Sequence, residues 1–294
     1  TFRSRCCYLN IHAQYNKING NWEEAYRYRK ELLDLVEEKF GSGFGGDIVK
    51  RYFVALNNLV PICMHLGKLD EVMEMVEKME AIEEQSLKSH FSDELKTRIL
   101  LQCSVARLAL YTRRAKRNEG FQLVHYLDEM MPLISKYHRK YVLLHLYYNI
   151  SYFLFSIGEY SQSLKWLNKI LNDTGIKSAE DLHASTRLLT MILQFELGRS
   201  EFLEYLARTT YRYLNKLEAV YEFEAILLSF MKKFSRNDLL REKKEVFEQL
   251  KHDLLAVDYE PGERNALSTL DLSAWVDSKI ERRQLLEILK EKHA

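Results

Sequence analysis

The chain has 294 residues, 47% of them hydrophobic, so a folded core is expected. Lys and Arg number 43 against 42 Asp and Glu, and a net charge of +1 gives no general attraction to nucleic acid or an anionic membrane. No apolar run approaches the roughly 18 residues of a membrane span. Only 11 glycines and 3 prolines interrupt the chain, which implies few tight turns and long elements.

The cysteines Cys6, Cys7, Cys63 and Cys103 form no CxxC pair and suit no zinc spacing. All lie in apolar helical stretches, which predicts buried, reduced thiols, a reducing compartment and a cytoplasmic location. Position 1 is Thr and a helical pattern starts within a few residues, so the chain is expected to be a fragment or a processed product.

The apolar period is helical almost throughout. Leu144, Tyr147, Ile150, Phe153 and Leu154, for example, recur at three- and four-residue steps. No stretch alternates as a strand would, so the fold class predicted is all-α. In chain order the helical runs pair into hairpins: about 5–19 with 22–40, 47–66 with 69–85, 91–117 with 120–136, 138–157 with 160–172, 179–197 with 200–216, and 218–235 with 238–256. A linker over 257–269 holds Pro261-Gly262, and one capping helix is predicted over about 270–290. Gly20, Gly67, Gly158 and Gly198 sit between paired runs, where glycine supplies the left-handed residue that closes a helix. Asn237 can do the same in the sixth hairpin. Regular hairpins along a chain predict one solenoid domain spanning 1–294, each hairpin burying its apolar face on its neighbours.

The fourth hairpin carries a more specific pattern. A large residue at Tyr147 is followed by Ile150, small Ser151 and large Leu154. Gly158 then marks the turn, and Tyr160, small Ser163, large Leu167 and Ile170 follow. This resembles a tetratricopeptide repeat, in which small residues let two helices approach and large ones fill the holes around the crossing. Leu56, Leu59, Gly67, Leu69, Val72, Val76 and Met79 hold the same places in the second hairpin. The first hairpin fits through Ala13, Gly20, Trp22 and Ala25, but Arg29 stands where a large apolar residue is usual. The remaining hairpins depart further. The end of the chain, from Asp271 to Ile280, resembles that of uncharacterised bacterial proteins with such repeats. There Leu270, Leu272, Trp275, Val276 and Ile280 would cover the last hairpin.

The resemblance implies a right-handed superhelix of about six hairpins whose first helices line a concave, peptide-binding groove. On this register His145, Tyr148, Asn149, Tyr152 and Phe155 would face it. Asn57, Asn58, Pro61 and Met64 would join from the second hairpin, and Asn10 and Gln14 from the first. Tyr and Asn supply rigid contact area and hydrogen bonds to a peptide. The competing reading packs some of these tyrosines between repeats as core. The family's clamp for a C-terminal carboxylate wants Lys where this chain has Asn10, so that specificity is not expected.

Other motifs carry blander readings. Residues 41–46 spell G-x-G-x-x-G, but a helix and not a strand precedes them, so a loop is expected rather than a dinucleotide site. His138 and His145 lie seven apart without metal-ligand spacing. The pair Glu83-Glu84 reads as a solvated face. The run Arg113-Arg114-Ala115-Lys116-Arg117 reads as a helix C-terminus complementing its dipole, and a second basic cluster spans Lys136 to Lys140. No catalytic residue, metal ligand or cofactor is predicted. The expected function is a protein- or peptide-binding scaffold, monomeric or dimeric, without nucleic-acid or membrane partners. The alternatives are a sensor part of a regulatory protein with an upstream effector domain and, less favoured, an enzyme.

Overall fold

A computed structural model describes residues 1–41, 46–88, 92–173, 180–217, 220–234, 244–260, 263, 267 and 270–293. Among the described residues the chain is all-α, with fourteen α-helices and no strand. The packing separates two compact units, residues 1–110 with 127–138, and residues 111–126 with 139–294.

The first unit holds α1 (Phe2–Ile18), α2 (Trp22–Gly41), α3 (Gly46–His65) and α4 (Leu69–Lys88), each packed on the next. It also takes most of α5 (Asp93–Arg113) and the second half of α6 (Arg117–Tyr137). Ala13 and Ala25 are buried in its α1 and α2, and Leu56, Leu59, Leu69, Val72, Val76 and Met79 in its α3 and α4, as the repeat pattern anticipates; Leu9 of α1 is buried beside them. Cys6, Cys63 and Cys103 are buried, but Cys7 is exposed. Cys6 and Leu9 share the packed stripe of α1, and one residue on the helix turns Cys7 about 100° away.

The second unit holds the start of α6, then α7 (Lys140–Ser156), α8 (Tyr160–Leu171), α9 (Glu180–Glu196), a 3₁₀ turn (Ser200–Phe202), α10 (Leu203–Lys216), α11 (Glu222–Phe234), α12 (Lys244–Leu255), α13 (Leu272–Glu281) and α14 (Leu285–Lys292). From α7 onward each helix packs on its successor, and α7 also packs on α9, and α9 on α11. The Ser163 hydroxyl donates to the Ser151 carbonyl at 2.7 Å, and both residues are fully buried, so α7 and α8 approach at the two small positions. In α6, a Cβ on Gly120 would lie 2.1 Å from the Phe153 ring, which is why no side chain stands there. Trp275 of α13 sits among Phe195, Phe230 and Phe247 at centroid separations of 5.8, 6.3 and 5.9 Å. Leu270, Leu272 and Val276 are buried in the same core, with Ile280 packed against it.

One turn recurs. The N–H three residues past a helix end bonds five residues back, from Asn21 to Asn16, Lys68 to Cys63, Glu159 to Leu154 and Arg199 to Gln194. In each, the preceding glycine is left-handed (Gly20, Gly67, Gly158, Gly198), which closes the helix without a Cβ penalty. Two predicted boundaries move because non-glycine residues make the same turn. Ala115 takes φ 53° and Lys116 N–H bonds Tyr111, so α5 ends at Arg113 and α6 starts at Arg117, earlier than expected. Arg282 takes φ 54° and Arg283 N–H bonds Ser278, so the single helix expected over 270–290 is two. Arg283 then ties the halves by pairing with Glu281, Glu287 and Glu291. Asn237 and residues 42–45 of the glycine-rich run lie outside the described residues, as do the Glu83 and Glu84 side chains.

Candidate functional site

The residues singled out on α7 divide by helix face. His145 is exposed and meets the Tyr141 ring edge-on at 4.7 Å. Asn149 is half-buried, and its amide donates to the His145 carbonyl at 2.8 Å, so one of its two amide hydrogens is spent on its own helix. Tyr152 is half-buried. Phe155 is 1% exposed and belongs to the core. Tyr148 is also a core residue, at 4% exposure, yet its hydroxyl has no hydrogen-bond partner. Burial drives the Tyr148 phenol far from ionisation. Tyr152 is pushed the same way by burial, by the Asp271 carboxylate and by Tyr148, against the Arg113 guanidinium.

Helix α9, packed on α7, bears a polar row that the sequence reading missed. His183, Arg187, Thr190 and Gln194 recur at steps of four, three and four, which puts them on one face. His183 Nε2, Arg187 Nε and Gln194 Oε1 are shut from solvent without a partner. Arg187 stacks on the Tyr213 ring at 4.5 Å. Burial, reinforced by Arg187, lowers the His183 imidazole from its ordinary value, against the pull of Asp173. The signal was legible in principle as polar residues at helical spacing within the apolar run of residues 182–195.

A second buried polar set is fully satisfied. Asp271 caps α13 through the Ala274 N–H at 3.3 Å and pairs with Lys292 at 2.6 Å and His293 at 3.7 Å. Burial pushes its carboxyl up, but the bonds from His293, Lys292 and Ala274 outweigh that and bring it to about 2. Arg113 feels the same carboxylate. Glu196 of α9 accepts from Trp275 Nε1 at 2.6 Å and from Lys279 at 2.5 Å, which anchors α13.

In the first unit Asn10 is exposed and accepts a bond from Arg29, Gln14 is exposed, Asn57 and Asn58 are half-buried, and Met64 is 9% exposed. The groove set is thus not uniformly a surface: Tyr148, Phe155 and Met64 are packed, and His145, Asn149, Tyr152, Asn10, Gln14, Asn57 and Asn58 are reachable. The five residues of the first unit and the five on α7 fall in separate units.

The basic run 113–117 does not form one helix end. Its last member, Arg117, opens α6, donates to the Ile157 carbonyl at 2.8 Å and pairs with Glu159 at 3.3 Å, so it caps α7 instead. Lys116 pairs with Glu119 at 3.2 Å. In the second cluster His138 bonds the Thr97 hydroxyl at 2.9 Å and Lys140 pairs with Asp173 at 3.2 Å. Among the described residues no group of three or more His, Cys, Asp or Glu side chains could hold a metal ion, and no helix is long and apolar enough to cross a membrane. No protein-family model matches the chain, and no curated protein matches it.

Proposed function

We propose that the chain is a tetratricopeptide-like repeat module that holds an extended polypeptide segment along α7 and α9, without catalysing a reaction. The observation that carries this reading is the row of polar atoms without partners on α9, His183 Nε2, Arg187 Nε and Gln194 Oε1, on a helix packed against α7. Buried polar groups are nearly always bonded, and leaving one unbonded costs about 1–3 kcal/mol. An extended peptide alternates N–H and C=O groups and can answer donors and acceptors together. The half-buried Asn149 and Tyr152 and the exposed His145 add reachable contacts on α7. The alternate packing of α7 on α9 and α9 on α11 is what stacked hairpins give, which supports a solenoid reading of these helices.

The test is selection of peptides from a random display library against the intact chain. Winning peptides are then measured on His183→Ala, Gln194→Ala and Asn149→Ala. Each loss of a bond to the peptide is expected to weaken binding by about tenfold. Equal affinity of all three variants and the parent, with unchanged helicity, would remove α7 and α9 as the site.

A further inference from the structure

Arg29 is the residue of the first hairpin that breaks the repeat pattern, and the structure makes the departure sharper. The residue is only 7% exposed. Nη1 donates to Asn10 Oδ1, and Nε is shut from solvent with no partner. Lys17 is half-buried on the α1 face that also carries Asn10 and Gln14, at steps of four and three. Among the described residues neither cation pairs with a carboxylate, whereas Arg5, Lys78 and Arg107 of the same unit pair with Glu31, Glu37 and Glu80. Burial lowers the affinity of Arg29 for its proton, and burial together with Arg29 does the same to Lys17. Two neighbouring cations, partly out of water and without a counter-charge, are an expensive arrangement in an empty protein.

We propose that Arg29, Lys17 and Asn10 form a binding site for an oxyanion, a carboxylate or a phosphoryl group, between α1 and α2. Asn10 orients the guanidinium by taking one N–H. The Nε and Nη2 edge is then left as the side-on fork that fits two oxygens of one anion. Lys17 supplies the second positive charge, and its long stem swings aside to admit the ligand. The site lies in the first unit and stands apart from the reading given for α7 and α9, so either can fail alone.

The probes are inorganic phosphate and acetate, each titrated into the full chain at constant ionic strength against chloride. Two readouts are followed, the thermal midpoint and the ¹⁵N resonance of the arginine Nε groups. At about ten times Kd the midpoint is expected to rise by roughly 2–5 °C, and the Arg29 Nε resonance to move saturably. Arg29→Met should abolish both responses, and Lys17→Met should weaken the anion severalfold. A response to acetate alone assigns the site to carboxylates, and to phosphate alone to phosphoryl groups. The same midpoint rise in parent and Arg29→Met, or a stationary Arg29 resonance, would mean an adventitious ion only and overturn the proposal. If Arg29→Met does not fold, the resonance in the parent and the response of Arg29→Lys decide it.

Discussion

Each unit takes a charge largely out of water, Arg29 in the first and Asp271 in the second, and the two are treated oppositely. In the second unit Asp271 is wrapped by Lys292, His293, the Ala274 N–H and the field of Arg113, and is held ionised. In the first unit Arg29 has one neutral partner, Asn10, and a cation, Lys17, as its charged neighbour. A buried ion with all its bonds made holds two chain segments in register. A buried ion with bonds unmade adds cost and no cohesion, which is the pattern expected where a ligand completes the set.

The largest expected effect tests the first half of that contrast. Asp271→Ala should cost about 2–4 kcal/mol in urea unfolding, because it removes the pairing with Lys292 and His293 and the α13 cap. Arg29→Met should stay within about 1 kcal/mol of the parent, since an apolar residue of similar length replaces an uncompensated ion. Equal penalties would dissolve the comparison.

Glu224 sharpens it as a case between the two. It is buried, and its carboxylate accepts the Tyr221 N–H at 3.1 Å, but burial and the nearby Glu263 and Asp181 push it up to about 7. A raised folded-state value gives stability that is full below pH 4.5 and lost as the pH rises through about 7. Glu224→Gln keeps the bond to Tyr221 without the charge. It should therefore stabilise by about 2–3 kcal/mol at pH 8 and change little at pH 4, read from denaturant midpoints at the two pH values.

Asp271 has the opposite sign. Its value falls from 3.8 to about 2 on folding, so its contribution is present above pH 4 and lost as the pH drops towards 2. Asp271→Asn should flatten acid unfolding in that window by about 2 kcal/mol. An unchanged acid limb would mean that the ion pairs around Asp271 are not formed in solution.

The elements were legible because their signals are local. Helical period marked the long helices, and glycines at 20, 67, 158 and 198 marked turns that the backbone makes with φ near +75°. Ala115 and Arg282 make the same turn without announcing it, and two of the boundary errors fall there. The site was less legible. The spacing of His145, Asn149 and Tyr152 placed them on a reachable face. The same spacing could not tell that Tyr148 and Phe155, a little further round α7, would be roofed over in the core. The polar row on α9 was passed over because His183, Arg187 and Gln194 gain meaning only when neighbouring helices bury them.

The sequence by itself determined that this chain is helical, where most helices begin and end, and that Ser151 and Ser163 would mark a close crossing. Those properties depend on backbone preference and on neighbours three or four residues away. Only the tertiary structure decided which polar groups are left without a partner. It also decided that Asp271 is answered and Arg29 is not, because hydrogen bonding and desolvation are set by residues brought together from distant parts of the chain.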